Sequence, residues 1–250
     1  ASKVPVDTLV SLTLGDPESL DPAWTYESQG VHVDAQIYEG LVAFEREHPD
    51  RFVPALATAW QLSEDQKTYT FTLRPGVTFH EGGTLEPHDV AYSLQRALLQ
   101  DRGGGPMWML LKAFTGQASI AELTAAQLQP TPEAGKAPAL ADLPAEAKAA
   151  ACAKVQAAVQ ADDAAGTVTL HLAAPTPWFL QLLSIGSGAG TLDREWMVQQ
   201  GDWDGDCGSW ERWHDPAAQE SVLYDRANGT GPYRLVSWKK TEAVRLDANP

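Results

Sequence analysis

PALATAWQLSEDQKTYTFTLRPGVTFHEGGTLEPHDVAYSLQRAL, residues 54–98, contains the clearest secondary-structure signals in the chain. Within it, Thr68–Leu73 alternates threonine with large apolar residues, which predicts a half-buried strand. The Pro75-Gly76 pair predicts a turn, and the apolar residues in 77–79 predict a return strand. From Pro87 onward, apolar residues at helical spacing predict an amphipathic helix. This stretch therefore predicts strands and helices packed together, an α/β fold.

The flanking sequence extends the same pattern toward both ends of the chain. Residues 8–14 alternate and predict a half-buried strand, and a short helix is expected with Ser28 as its N-cap. An alanine-rich helix is expected from Pro144 to about Asp162, followed by a strand over residues 168–172. We also expect an irregular surface excursion over residues 117–142, a helix behind the prolines over 175–183 and a GSGAG loop at 186–190. Another helix is expected over residues 192–200, and a terminal hairpin over 233–248.

Composition excludes several classes of partner. Eighteen Lys and Arg face 33 Asp and Glu among the 250 residues, which gives a net charge of −15. This charge repels phosphate backbones and anionic lipids, so we expect no nucleic-acid partner and no acidic membrane surface. The sequence has no apolar run of the roughly 20 residues that span a bilayer, and its first residues lack a signal-peptide core. We expect a soluble chain that is already processed or trimmed.

The two cysteines and an acidic run raise linked alternatives. Asp202, Asp204 and Asp206 have the spacing of a calcium loop, but the sixth position is Cys207 and the twelfth is tryptophan. A solvated loop, or one tethered by a disulfide, is favoured over a calcium site. If the chain is exported to an oxidising compartment, we expect a bridge from Cys207 to Cys152.

Catalytic and metal chemistry find little support in the sequence. The six histidines are scattered without the i, i+4 spacing of a helical zinc pair, and no GxSxG motif is present. We therefore predict no catalytic residues, no metal site and no cofactor. Nine tryptophans supply flat amphipathic surfaces; most are expected in the core, and Trp24 and Trp108 are the better ligand candidates because they lie near loops.

Ordered motifs along the whole chain resemble one known family. They are ESLDPAWTYES (18–28), YEGLV (38–42), the stretch quoted above (54–98), VTLHLAAPTPWFLQLL (168–183), NGTGPYRLVSW (228–238) and RLDANP (245–250). Each piece is modest, but their combination, order and spacing are specific. The chain resembles the solute-binding proteins of ABC importers of family 5, which take peptides, nickel complexes and some sugars.

The resemblance implies a fold and a domain plan. It implies the periplasmic-binding-protein fold (type II-like, the three-domain peptide-binding class), with two α/β lobes around a hinge that close over a ligand. Residues 1–45 and 174–250 would form lobe I, and residues 46–173 an inserted α+β subdomain. Family members are about twice as long, so we expect an N-terminal fragment without the second lobe, which in peptide binders supplies the acidic group that meets the ligand's amino end.

The resemblance also implies ligand contacts. The segment after Leu20-Asp21-Pro22 runs along the ligand backbone in family members, so Tyr26, Glu27 and Ser28 are the matching positions. An extended ligand could pair with it as an added strand. The loop after the Pro87 helix matches a second contact, so Met107 and Trp108 are expected to cover the ligand.

The expected function is binding without catalysis. Lobe closure would bury a small solute, with peptide preferred and a sugar or nickel complex as alternatives, and the closed monomer would deliver it to the membrane permease. We expect a periplasmic or extracellular location, with or without a lipid anchor on the precursor, and weak binding by these 250 residues alone because half the cleft is absent. The rival hypotheses are a secreted carbohydrate hydrolase with a tryptophan-lined cleft and a sensory domain that reuses the fold.

Overall fold

A computed structural model describes residues 7–46, 48–129, 138–185 and 189–250 of the chain. Three short 3₁₀ helices lie at Leu140–Asp142, Trp210–Trp213 and Ala218–Glu220. The α-helices and β-strands are α1 Ser28–Ile37, β1 Val42–Glu45, β2 His48–Pro54, β3 Ala57–Leu62, β4 Thr68–Leu73, α2 Pro87–Gln100, α3 Met107–Thr115, α4 Ile120–Ala125, α5 Ala145–Ala158, β5 Val159–Asp162, β6 Thr167–His171, α6 Phe179–Ser184, α7 Arg194–Gln199, β7 Tyr233–Lys239 and β8 Ala243–Ala248. No helix in these described ranges is long and apolar enough to cross a membrane.

The central sheet is antiparallel and has the order β3-β4-β6-β5. Strand β4 has the predicted bounds, and Phe71 stands opposite Val168 of β6. Phe71 is completely buried, whereas the threonines between the large apolar residues of β4 are more accessible. Helices α2 and α5 pack against this sheet, so the alternation in β4 reports the face that they cover.

Helix α2 also confirms its prediction. It starts at Pro87, and Asp89 accepts a hydrogen bond from the backbone N–H of Glu86 at 2.8 Å. The return strand predicted over residues 77–79 is wrong. That segment forms a single isolated bridge, Thr78 to Thr84, because two glycines with positive φ angles curl the chain into a loop before α2.

The prediction of a strand over residues 8–14 is wrong. Leu12 and Leu14 are exposed by 93% and 106%, and the segment forms no ladder with any described strand. A strand is stabilised by hydrogen bonds to a neighbour, so alternation without one does not produce sheet structure. The cavity formed by this segment and α1 is described below with the site.

The alanine-rich helix is shorter than predicted. Helix α5 ends at Ala158, and residues Val159–Asp162 form strand β5, which pairs with β6. Val159 is completely buried opposite Leu170, so a β-branched residue in a ladder overrides the helical pattern of the preceding alanines.

Shorter predictions on the surface have mixed outcomes. The excursion over residues 117–142 contains α4 and a 3₁₀ turn, and its residues 130–137 lie outside the described residues. Residues 186–188 of the predicted GSGAG loop also lie outside them. Helices α6 and α7 form where helices were expected, and strands β7 and β8 form the predicted hairpin.

Candidate functional site

The segment expected to face the ligand begins in a buried turn. Asp21 is fully buried, and its side chain accepts from the backbone N–H of Ala23 while its carbonyl accepts from Trp24 and Thr25, each at 2.9 Å. An aspartate that hydrogen-bonds its own following backbone fixes such a turn. The chain leaves the core directly afterwards, since Thr25 is completely buried and Tyr26 is 49% exposed.

A buried ion-pair network fixes this turn to the rest of the molecule. Arg96 of α2 is 1% exposed and donates to both carboxylate oxygens of Asp21, at 3.0 and 2.8 Å. The same guanidinium donates to both oxygens of Asp202, each at 2.9 Å. Ser221 and Tyr92 add hydroxyl donors to these carboxylates. One helix therefore positions two loops that are far apart in sequence.

The electrostatics of the network favour its charged form. Burial alone would raise the pKa of Asp21, but the charge and hydrogen bonds of Arg96, with those of Ser221 and Ala23, outweigh burial and lower that pKa. The pKa of Arg96 is raised, because its two carboxylates outweigh the effect of burial. The pKa shifts of Asp21 and Arg96 therefore both favour the ion pair, and removal of Arg96 would leave two buried carboxyl groups without a cation.

A second residue, Arg102, connects the loop after α2 to the Asp21 segment. Its Nε donates to the carbonyl of Trp24 at 2.9 Å, and its guanidinium lies 3.9 Å from the centre of the Trp24 ring. The Trp24 indole donates to the carbonyl of Pro216 at 3.0 Å. Trp24 is therefore held on three sides, and the two segments predicted to contact ligand are joined through it.

The predicted ligand residues have different surroundings. Tyr26 and Trp108 are 49% and 48% exposed, and Ser28 is also exposed. Met107 is 1% exposed and packs in the core, so its side chain does not reach the surface that Trp108 presents. The hydrophobic pattern of α3 explains the difference, because successive helical residues point about 100° apart.

Glu27 has a structural task that the sequence did not indicate. Its Oε1 accepts from the backbone N–H of Gly30 and of Glu18, each at 3.0 Å, so Glu27 and not Ser28 is the N-cap of α1. Its Oε2 accepts from the backbone N–H of Tyr26 at 3.2 Å. The carboxylate therefore shapes the chain on both sides of Tyr26.

Two of the cavities in the described part of the chain can be compared with the predicted ligand residues. The smaller, about 290 Å³, is lined by Ser28, Gln29 and His32 of α1 and by Ser11, Thr13 and Leu14. The larger, about 710 Å³, lies between α2, β5 and β6, and none of the five predicted ligand residues lines it. Of the five predicted ligand residues, Ser28 lines one of these two cavities.

A disulfide, an ion pair and backbone hydrogen bonds hold the acidic loop that contains Asp202, Asp204 and Asp206. Cys207 forms a disulfide with Cys152 of α5, with 5.5 Å between the two Cα atoms. Asp202 is paired with Arg96, and Asp206 accepts from the backbone N–H of Gly208 at 3.1 Å. Within the described ranges, no cluster of metal-ligating groups includes any of the three loop aspartates.

The sequence matches one known protein family over most of its length. The sequence profile described as "Bacterial extracellular solute-binding proteins, family 5 Middle" matches residues 51–250. The chain belongs to this family. The match confirms the resemblance seen in the ordered motifs, and the stretch over residues 54–98 lies wholly within it.

Curated relatives of this family-5 solute-binding protein carry the names of binding proteins. A dipeptide-binding protein of Pseudomonas aeruginosa is 39% identical over 99 residues, which cover 36% of this chain and 18% of the relative. A dipeptide-binding protein of Escherichia coli is 36% identical over 107 residues, which cover 38% of this chain and 19% of the relative. Heme-binding protein A of Haemophilus influenzae is 36% identical over 99 residues, which cover 37% of this chain and 18% of the relative. The matched segment thus spans under a fifth of these proteins.

Solved structures show the same fold along nearly the whole family-5 chain. The substrate-binding domain of an oligopeptide ABC transporter from Bacillus anthracis has a TM-score of 0.58 at 20% identity, over 96% of this chain and 37% of its own. OppA of Burkholderia pseudomallei has a TM-score of 0.61 at 19% identity, over 94% of this chain and 37% of its own. The fold is therefore that of the periplasmic peptide-binding proteins, and the chain spans just over a third of their length.

Sequence reasoning missed the residues that position the site of this family-5 protein. Arg96 is a polar residue of an amphipathic helix, and its two partners lie 75 and 106 residues away in sequence. A local pattern therefore does not indicate the pairing. Arg102 precedes a run of three glycines and a proline, and this run predicts only that the helix ends there. A buried position for Arg96 could have been suspected from its helical spacing, since it lies between buried apolar residues on α2.

Proposed function

We propose that the chain is part of the solute-binding component of an ABC importer, and that it binds a peptide or a similar small solute reversibly without catalysing a reaction. The observation that carries the proposal is the family match over residues 51–250. The relatives reported above are named for binding peptides or heme and not for a reaction. The hydrolase and sensory hypotheses gain no support from any of them.

The proposed ligand surface is formed by the Asp21 turn and by the loop after α2. Tyr26 and Trp108 each offer a half-exposed aromatic surface, and Arg102 connects the segments that carry them. Aromatic faces provide large contact area at little cost in conformational entropy. Glu27 acts in this proposal mainly by shaping the backbone next to Tyr26, and Ser28 borders the small cavity.

Peptide is the proposed ligand class. Two of the relatives described are named for dipeptides, and the solved structures include oligopeptide-binding proteins. The heme-binding relative matches over a similar length, so this part of the chain supports more than one ligand class in the family. A sugar or a nickel complex stays an alternative.

The proposed domain plan joins residues 1–45 and 174–250 into the main part of lobe I, with residues 46–173 as an inserted subdomain. Two ion pairs and one disulfide support a rigid union of these parts. Arg96 of the subdomain binds Asp21 and Asp202 of the lobe, and the disulfide joins Cys152 to Cys207 across the same boundary. Closure of a second lobe would then act against a single rigid body.

We propose that the binding protein is a monomer and that it docks on the membrane permease of the importer. We propose a location in the periplasm or outside the cell, either free or held by a lipid anchor on the precursor. The family description and the disulfide support an oxidising compartment outside the cytoplasm.

Calorimetry on the complete gene product tests the proposal. Titration with a set of dipeptides is expected to give reversible 1:1 binding without product formation. Tyr26→Ala and Trp108→Ala should each weaken peptide binding at least about tenfold, because loss of a central aromatic contact costs about 2 kcal/mol and about 1.4 kcal/mol corresponds to tenfold.

A matched control is available in Trp178, which is 59% exposed and lies outside both segments. Trp178→Ala should leave the affinity unchanged. Peptide binding that is unaffected by both site substitutions would overturn the assignment of the surface. Turnover of a candidate substrate would overturn the proposal of binding without catalysis.

A further inference from the structure

His88, the second residue of α2, lies among carboxylates from other parts of the fold. Its Nδ1 is 3.0 Å from Asp163 Oδ2, in the turn between β5 and β6, and 3.4 Å from Glu86 Oε2. Its Nε2 is 3.2 Å from Glu195 Oε2 on α7. These residues are remote from Tyr26 and Trp108 in sequence, and no part of the proposed function uses them.

We propose that Glu86, His88 and Asp163 form a zinc-binding site, in which Glu195 orients the imidazole. An imidazole nitrogen with two carboxylates is a ligand set that suits Zn²⁺. Three protein ligands leave a fourth position for water or another donor.

The distances fit tetrahedral coordination. Ligand atoms at 2.0 to 2.2 Å from zinc in a tetrahedron are separated from one another by about 3.4 Å. His88 Nδ1 is already 3.0 Å from one carboxylate and 3.4 Å from the other, and all three ligand atoms lie within 4.8 Å of one another. Binding would therefore need adjustments of side chains only.

The other side of the imidazole is prepared for a metal on Nδ1. Both ring nitrogens face carboxylate oxygens, Nδ1 facing Asp163 at 3.0 Å and Nε2 facing Glu195 at 3.2 Å, so zinc at Nδ1 would replace the proton between Nδ1 and Asp163. The Nε2–H would continue to donate to Glu195, as the second N–H of metal-bound histidines commonly does to a carboxylate. Asp89 also approaches Nε2, at 3.7 Å, but its oxygens accept from the backbone N–H of Glu86 and of Arg194. We therefore assign Asp89 to the scaffold and not to the ligand set.

Asp163 is oriented toward the imidazole by a hydrogen bond, and both carboxylates are accessible to a metal ion. Asp163 Oδ1 accepts from the backbone N–H of His88 at 3.0 Å, which aims its second oxygen at the ring. The side chains of Asp163 and Glu86 are 50% and 54% exposed, and neither forms an ion pair with a Lys or Arg in the described ranges. His88 also lines the larger cavity, so ions from solution can reach the imidazole.

No local sequence pattern indicates this site, because its ligands do not share a helical spacing. Glu86 and His88 flank the start of α2, and Asp163 comes from a turn 75 residues later. The prediction of no metal site rested on the distances between histidines, whereas this cluster contains one histidine and carboxylates.

Calorimetric titration of the untagged chain with Zn²⁺ tests the inference, with Co²⁺ as a spectroscopic probe. We expect 1:1 binding of zinc, and a visible absorption of tetrahedral Co²⁺ that zinc displaces. His88→Gln should abolish both signals, and Glu86→Gln and Asp163→Asn should weaken zinc binding at least tenfold. Glu195→Gln should weaken it by about 10-fold to 100-fold, as loss of an orienting carboxylate does.

His48→Gln removes an exposed histidine on β2 and serves as the matched control, with unchanged binding expected. Thermal unfolding without metal identifies any variant that loses its fold, and Glu86→Gln, at an exposed side chain, keeps the test valid if His88→Gln does so. Absence of 1:1 binding to the parent chain would overturn the site. Equal zinc affinity in the parent chain and in folded Glu86→Gln and Asp163→Asn would also overturn it.

Discussion

Strand β4 and the segment over residues 8–14 have the same alternating pattern and opposite structures. In β4, Phe71 is completely buried and the ladder partners β3 and β6 lie on both sides. In the N-terminal segment, Leu12 is 93% exposed and no described strand pairs with it. Alternation therefore predicts which face of a strand can be buried, and a neighbouring strand decides whether the strand forms.

The boundary between these two kinds of structure lies between Gly15 and Asp21. Residues 7–15 are exposed, Ser19 and Leu20 are completely buried, and Asp21 anchors the chain to the packed body through Arg96. This anchor places Tyr26 and its neighbours at a defined point on the surface, where the proposed ligand contacts begin.

The largest expected effect comes from removing this anchor. Arg96→Met should lower the free energy of unfolding by about 5 kcal/mol, because Asp21 and Asp202 would be left as buried carboxylates without a cation. Denaturant unfolding of the purified chain measures the change. Arg245→Met, at an exposed ion pair, is the control and should change stability by less than about 1 kcal/mol. Similar losses in the two variants would contradict the role of the network.

The comparison of the two alternating segments is tested by a pair of substitutions. Phe71→Ala should lower the free energy of unfolding by about 3 to 5 kcal/mol through the lost burial and the cavity left behind. Leu12→Ala should change it by no more than about 0.5 kcal/mol, since the side chain is already in solvent. Chemical denaturation of both variants provides the measurement, and a comparable loss from Leu12→Ala would show that this segment is packed in solution.

The smallest expected effect concerns Asp34 on α1, which is 1% exposed. Neither carboxyl oxygen has a hydrogen-bond partner in the described ranges, and the Thr25 hydroxyl donates to the carbonyl of Asp21 instead. Burial raises the pKa of Asp34 well above its usual value, and the charges of Asp21 and Glu27 raise it further.

The sign of the pH dependence follows from that direction. The folded chain holds the Asp34 proton more tightly than the unfolded chain, so this stabilisation is complete below the unfolded pKa, near 4, and is lost as the pH rises through the folded pKa. Asp34→Asn cannot lose a proton. Its stability relative to the parent chain should rise by roughly 1 to 3 kcal/mol as the pH is raised from 4. Denaturation at several pH values measures this, Asp142→Asn is the exposed control, and a pH-independent difference would contradict it.

The sequence predicts local elements well where pattern and packing agree. Helix α2 and strand β4 have apolar faces that match the layers covering them, so their bounds were predictable. Strand β5 was hidden at the end of an alanine-rich helix, because its pairing with β6 depends on a contact that a local pattern does not contain. The failed strand over residues 8–14 has the same cause.

The candidate site was predictable only through the family resemblance. Motif order indicated Tyr26 and Trp108, and both are half-exposed. The burial of Met107 and the capping by Glu27 depend on the rotation of α3 and on the start of α1, which the sequence fixes to within a residue or two only. Arg96 acts across the fold, so its role required coordinates.

Hydrogen exchange of the complete gene product, with and without a bound dipeptide, tests the central claim most directly. The account predicts that the backbone amides of residues 24–28 and of the loop at 102–108 become protected when peptide binds. The amides of β4 should exchange slowly in both states, because β4 is a central strand that pairs with β3 on one edge and with β6 on the other. Saturating peptide that leaves exchange in both segments unchanged would contradict the assignment of this surface to ligand.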